Sequence, residues 1–223
     1  MVLFNAMIFE FLSSYGPITG IIMFLITFGL LVLCLTVHEF AHAFIADRLG
    51  DPTPKAMGRL TLNPLAHLDP IGSALLAFTG FGWAKPVPFN PNYFANPRLY
   101  TSLTALAGPV SNFLFAILFA FLHEAVLRVG FGSPLVGIVA PLFFVAARIN
   151  LVLGFFNLIP INPLDGFKVV WGLLPRDLAL QWSELAQYGM YMLIFVILVP
   201  IGGSTLSERL VSVPVNIVMK LLF

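Results

Sequence analysis

Between Glu10 and His38 the chain carries no charged side chain, and Phe11 to Val37 is apolar or uncharged throughout. A soluble domain has no way to bury such a run on every side. A helix of about 20 apolar residues, in contrast, crosses the hydrocarbon of a bilayer with its backbone satisfied internally. The composition agrees: 59% of residues are hydrophobic and 9% charged, against about 25% charged in soluble domains. Mean hydropathy is +0.98. The expectation is an all-α polytopic membrane protein, with 223 residues forming one membrane-embedded domain over 1–223. The net charge of +1 offers nucleic acid nothing to hold, so the expected surroundings are membrane lipid. The sole cysteine, Cys34, excludes an internal disulfide and a cysteine-based zinc cluster. The N-terminus lacks a basic region ahead of its apolar stretch, which therefore reads as mature protein and not as a signal peptide.

Along the chain the pattern predicts about four to six membrane helices. Residues 1–16 are apolar but too short to span. Pro17 suits a first helical turn, 18–49 reads as one long helix, and Gly50 fits its C-terminal cap. Residues 51–97 are rich in Pro, Gly and Asn. Their apolar island, Ile71 to Phe81, is too short to cross and reads as re-entrant or interfacial, and the prolines of Gly82 to Phe89 make that stretch an extended edge segment, hairpin-like and membrane-associated. Further spans are expected over 98–128, with a kink at Gly108-Pro109, over 135–158 and over 178–200. A broken segment covers 159–175, and a C-terminal helix 205–223. Arg48, Lys55, Arg59, Lys85 and Arg98 gather between the first two spans, and Lys168 and Arg176 fall on the same side if the spans alternate. The Lys/Arg bias makes that side cytoplasmic.

The last turns of the first long helix contain His38-Glu39-Phe40-Ala41-His42. Two histidines four residues apart share a helix face and can grip one metal ion, with zinc the expected one and the intervening glutamate as general base. Ionisable groups near a bilayer interior are costly and mark function. The bland reading is a polar patch paired within the bundle. A catalytic zinc needs a third protein ligand. His123 and Glu124 fall at the opposite end of the second span. Of Asp69, Asp165 and Glu184, the best placed is Asp165, in the break from Asn157 to Gly166; its competing role is the N-cap of the helix that follows. His67 could bond within its own loop, line the site or contact the metal in a resting state; Cys34 is a packing residue more than a fourth ligand, and Asn112 either helix–helix glue or a site residue.

Four segments together resemble the site-2 proteases, intramembrane zinc metalloproteases, in a minimal form without PDZ-like or CBS-like domains. They are His38 to His42; Gly58 to Pro64 with His67 and Asp69-Pro70; Ala107-Gly108-Pro109 with Asn112; and Asn157 to Gly166. The resemblance implies one Zn²⁺ held by His38, His42 and Asp165, and Glu39 as general base. It implies that Asn157 positions substrate or stabilises the oxyanion, and that Gly82 to Phe89 holds the substrate extended. It also implies a transmembrane protein substrate, hydrolysed within or near its spanning segment in regulated intramembrane proteolysis, and a prokaryotic cell membrane with the site toward the cytoplasm. The alternative is a non-catalytic metal-binding or transport protein, which has no need of Glu39.

Overall fold

The structure, a computed structural model, describes residues 7–79, 82–130, 133 and 135–223. Helix α1, Met7–Tyr15, turns at Gly16 into α2, Pro17–Arg48. Pro17 occupies the first turn as expected, and beyond the end of α2 Gly50 takes a left-handed φ of 104°. Next come α3, Thr53–Ala56, and α4, Pro70–Thr79. The core is completed by α5, Pro97–Val129, and α6, Val136–Asn157. A broken loop leads to α7, Asp165–Leu173; then follow α8, Arg176–Glu184, α9, Gly189–Leu198, and α10, Leu206–Leu222.

Among the described residues three helices are long and apolar enough to cross a membrane: α2, α5 and α6. The span expected over 178–200 is two helices, α8 and α9, joined by a 3-10 stretch at Leu185–Tyr188. Charge explains the division: Arg176, Asp177 and Glu184 fall in α8 or at its ends, whereas Gly189–Leu198 is wholly uncharged. The apolar island is α4, with residues 80 and 81 outside the described residues, as are 131, 132 and 134 of the expected turn after α5. The segment 82–89 forms no regular hairpin. It makes one antiparallel bridge, Leu68 with Ala84, and a bond from the Lys85 N–H to the His67 carbonyl. Pro86 and Pro88 remove the donors a longer ladder would need.

Helix α5 is the hub, packed against α2, α6 and α7. Small residues allow the close approach: Ala43 and Ala46 on α2, Ala105 and Ala116 on α5, and Ala146 and Ala147 on α6 are all buried. One apolar cluster joins Leu151 of α6 to Leu193 of α9 and Val211 and Val215 of α10, and holds Ile159, Ile161 and Leu164 of the broken loop. A second sets Phe24, Leu31 and Cys34 of α2 against Ile149 of α6. The N-terminus of α10 is secured by a capping box between Thr205 and Glu208.

Candidate metal centre

At about 1.5 Å per residue, His38 lies about 31 Å along α2 from Pro17, roughly one hydrocarbon thickness. His38 and His42 stack one turn apart with their rings edge to face, centroids 4.6 Å apart. The loop held by Ile159, Ile161 and Leu164 brings in the third group. Gly166 lets α7 start against that loop, because a Cβ on it would collide with the Leu158 carbonyl. Asp165 is then the first residue of α7. The N-cap is Leu164, without any side-chain capping bond, so the capping role open to Asp165 is not the one it takes.

The three donor atoms form a nearly equilateral triangle. Nε2 of His42 is 3.0 Å from Nε2 of His38, and each is 3.1 Å from Oδ2 of Asp165. All three residues are buried. Donors about 2.0–2.2 Å from a zinc ion in a tetrahedral set stand about 3.3 Å from one another, so the spacing fits. The donor chemistry fits too. Nδ1 of His42 lies 2.7 Å from the Thr104 carbonyl, which can only accept, so Nδ1 carries the hydrogen and Nε2 turns a lone pair on the cluster. Lone pairs converging at 3 Å need a cation between them, and among the described residues these are the three that can hold one. The wall behind the imidazoles is Gly108 of α5: a Cβ there would fall on Nε2 of His42 and on Cε1 and Nε2 of His38. Room for the pair therefore depends on a glycine.

Glu39 follows His38 on α2 and lines the same cavity as the triad. Its carboxylate accepts a hydrogen bond from the Val87 N–H at 3.2 Å. Glu39, the metal triad, Asn157 and the strip from Gly82 to Phe89 line one mostly apolar cavity of about 440 Å³, walled by Leu35, Val152, Phe156 and Met190. The strip is tied down at three further points. Buried Arg59 donates to the carbonyls of Ala66 and Lys85. The Lys85 N–H reaches His67 at 2.8 Å. Fully buried Asp51 accepts from the Asn90 N–H at 2.6 Å and from the Thr53 N–H.

The remaining sequence candidates separate clearly. Asn112 bonds Nδ1 of His38 at 2.6 Å and is completely buried, so it stands directly behind one of the three candidate ligands. Asn157 lines the cavity, and its amide donates to the Leu153 carbonyl one turn back. Cys34 has its sulfur 3.0 Å from the Asn150 amide, outside the metal triad. His67 bonds the Thr61 carbonyl at 2.8 Å and is not among the residues lining the cavity; it holds its own loop. Asp69 accepts from the Gly72 N–H at the start of α4, and His123 bonds the Ala140 carbonyl, away from the centre. Gly108 was expected as part of a kink, Arg59 as a cation of the Lys/Arg-rich side and Val87 within the extended edge segment, while Thr104 had no expected role; none of the four was expected to touch the His38, His42 and Glu39 side chains or to tie down the strip. A backbone carbonyl, a backbone N–H and a missing Cβ leave no signal of their own in a sequence.

The chain is similar to known proteins. Residues 132–200 match the model of Peptidase family M50. YwhC of Bacillus subtilis is 39% identical over 184 residues, covering 81% of this chain and 83% of that protein. Rip2 of Mycolicibacterium smegmatis is 28% identical over 186 residues, covering 81% and 69%. MJ0392 of Methanocaldococcus jannaschii is 24% identical over 155 residues, covering 70% and 36%. All three are named as zinc metalloproteases. No solved structure matches the chain. With a relative this similar over most of both lengths, the chain belongs to Peptidase family M50, the site-2 protease family that its motifs resemble.

Proposed function

We infer that the protein is an intramembrane zinc endopeptidase that cleaves membrane-protein substrates, with its centre on the cytoplasmic side of a prokaryotic cell membrane. The observation that carries the reading is the convergence of His38, His42 and Asp165 donor atoms within 3.1 Å, with Glu39 in the same cavity. A site that only stored or carried metal would need the triad but not the glutamate.

His38, His42 and Asp165 would hold the ion. When bound, zinc supplies a Lewis acid and brings the pKa of a coordinated water to about 7. Glu39 takes a proton from the attacking water and returns it to the departing amine, the role its position between the two histidines suits. Asn157 lines the same cavity; one hydrogen of its amide is held by the Leu153 carbonyl, and the other would be the one offered to the substrate carbonyl. A helical substrate hides its carbonyls in its own hydrogen bonds, so the cleaved stretch must be extended, and the strip from Ala84 to Phe89 offers it a backbone to lie along. The mostly apolar walls accept spanning-segment side chains and limit bulk water.

The test is cleavage of single-span substrates by purified, zinc-loaded protein in detergent or bilayers. Wild type should cleave. Glu39→Gln should retain zinc and lose cleavage by a hundredfold or more, and His38→Ala should lose both. Cleavage that survives in both variants sinks the assignment. Zinc binding without cleavage of any spanning substrate favours the storage or transport reading.

A further inference from the structure

Nδ1 of His38 faces an amide, and an amide presents either an acceptor or a donor depending on which way it is turned. That choice decides the metal ligand, because the imidazole nitrogen that carries hydrogen cannot bind metal. Three buried side chains behind His38 make the choice. Asn150, on α6, lies 2.9 Å from the Ala146 carbonyl one turn back in its own helix. A carbonyl only accepts, so the Asn150 nitrogen must face it. The second hydrogen of that nitrogen meets the Cys34 sulfur at 3.0 Å. The Asn150 oxygen is thereby turned to Asn112, whose nitrogen donates to it at 2.9 Å. The Asn112 oxygen is then left to face Nδ1 of His38 at 2.6 Å, where it can only accept. Nδ1 must carry the hydrogen, and Nε2 turns its lone pair to Asp165 and His42.

We propose that Asn150 is a positioning residue of the metal centre: it passes the polarity of the Ala146 carbonyl through Asn112 to His38 and locks the imidazole in the tautomer that binds metal through Nε2. Each of the four groups is nearly inaccessible, with Asn112 0%, Asn150 1%, His38 3% and Cys34 5% exposed. On the Nδ1 side of His38 the two asparagines are closed off from bulk water, which leaves the choice to the side chains. His42 needs no relay, because a backbone carbonyl fixes its tautomer directly. The consequence for zinc rests on the reading of the triad as a zinc centre; the tautomer itself does not.

The experiment uses the full chain labelled with ¹⁵N-histidine, which gives only four imidazoles to assign. In metal-free wild type, at a pH where the imidazoles are neutral, His38 should carry hydrogen on Nδ1; a hydrogen on Nε2 overturns the proposal without any variant. In Asn150→Leu the Asn112 amide loses its guide, His38 should show mixed tautomers, and zinc affinity by chelator competition should fall ten- to a hundredfold. A double variant adding Asn112→Asp should restore both, since a carboxylate accepts whichever way it is turned. Packing damage at position 150 would not be repaired by a change at 112, so failure of that rescue also counts against the relay. If wild type binds no zinc at all, the zinc reading fails while the tautomer result still stands or falls alone.

Discussion

The Glu39 carboxylate and the Val87 N–H meet at 3.2 Å across 48 residues of sequence, joining the proposed general base to the strip that borders the cavity. Pro86 and Pro88 have no N–H to give, and that of Lys85 is engaged by His67. Between Lys85 and Pro88, Val87 is therefore the donor turned on the base. Replacing the Val87 amide by an ester, through incorporation of the hydroxy acid, removes the donor and keeps the side chain. A hydrogen bond to a charged group is worth about 1.5–3 kcal/mol, so kcat/KM should fall about tenfold or more with zinc content unchanged. Kinetics indistinguishable from wild type would make the bond incidental.

Gly108→Ala should remove metal without unfolding the protein. The added methyl would sit 2.6 Å from Nε2 of His38 and also on His42, whereas within α5 itself alanine is favoured over glycine by about 1 kcal/mol. Zinc retention after dialysis against a weak chelator should fall at least a hundredfold while far-UV circular dichroism is preserved. Full zinc occupancy would mean that the histidine pair can retreat from α5.

Asp165→Ala takes one vertex from the triangle and leaves two histidines. Zinc content should drop below one ion per chain, and added zinc should not restore cleavage, whereas wild type stripped by chelator should recover when zinc returns. Stoichiometric zinc in the variant would move the third ligand elsewhere.

Arg59 tests the strip and not the metal. Arg59→Ala leaves the Ala66 and Lys85 carbonyls short of a donor, at about 1–3 kcal/mol for each that stays buried. Arg59→Lys should restore little, since an ammonium cannot span two carbonyls as a guanidinium does. The expected outcome is faster limited proteolysis within 82–90 and a raised KM at unchanged zinc content. Loss of zinc instead would tie Arg59 to the centre itself.

Sidedness has a simple readout, because the native Cys34 is buried and will not react. Leu62, 60% exposed in the loop between α3 and α4, can be replaced by cysteine. A membrane-impermeant maleimide should label it in inside-out vesicles and not in intact cells; labelling of intact cells would reverse the proposed orientation.

The long helices were legible because a charge-free run in a chain like this has one stable form, and Pro17 and Gly50 marked the ends of the first within a residue or two. The His38 and His42 pair was legible because four-residue spacing is a geometric statement on a helix. Asp165 was narrower: its approach depends on Leu164 and Ile161 anchoring in a core built with α9 and α10, which local pattern does not encode. The 82–89 strip read as extended, but what it bonds with, Arg59, His67 and Glu39, is set by chain returning from distant points. Asn150 is a polar residue inside a span, and the direction of its amide follows only from the carbonyl beside it.

Helix α5 gives the metal no ligand, yet Thr104, Gly108 and Asn112 all belong to it, spaced at four-residue intervals along one face. They bond one imidazole, make room for both, and bond the other. This face acts as a jig, setting the distance between two histidines that α2 alone would leave free to rotate. Substitutions at Gly108 or Asn112 will therefore resemble loss of a ligand, and a search for ligands by scoring metal loss alone would count one helix too many.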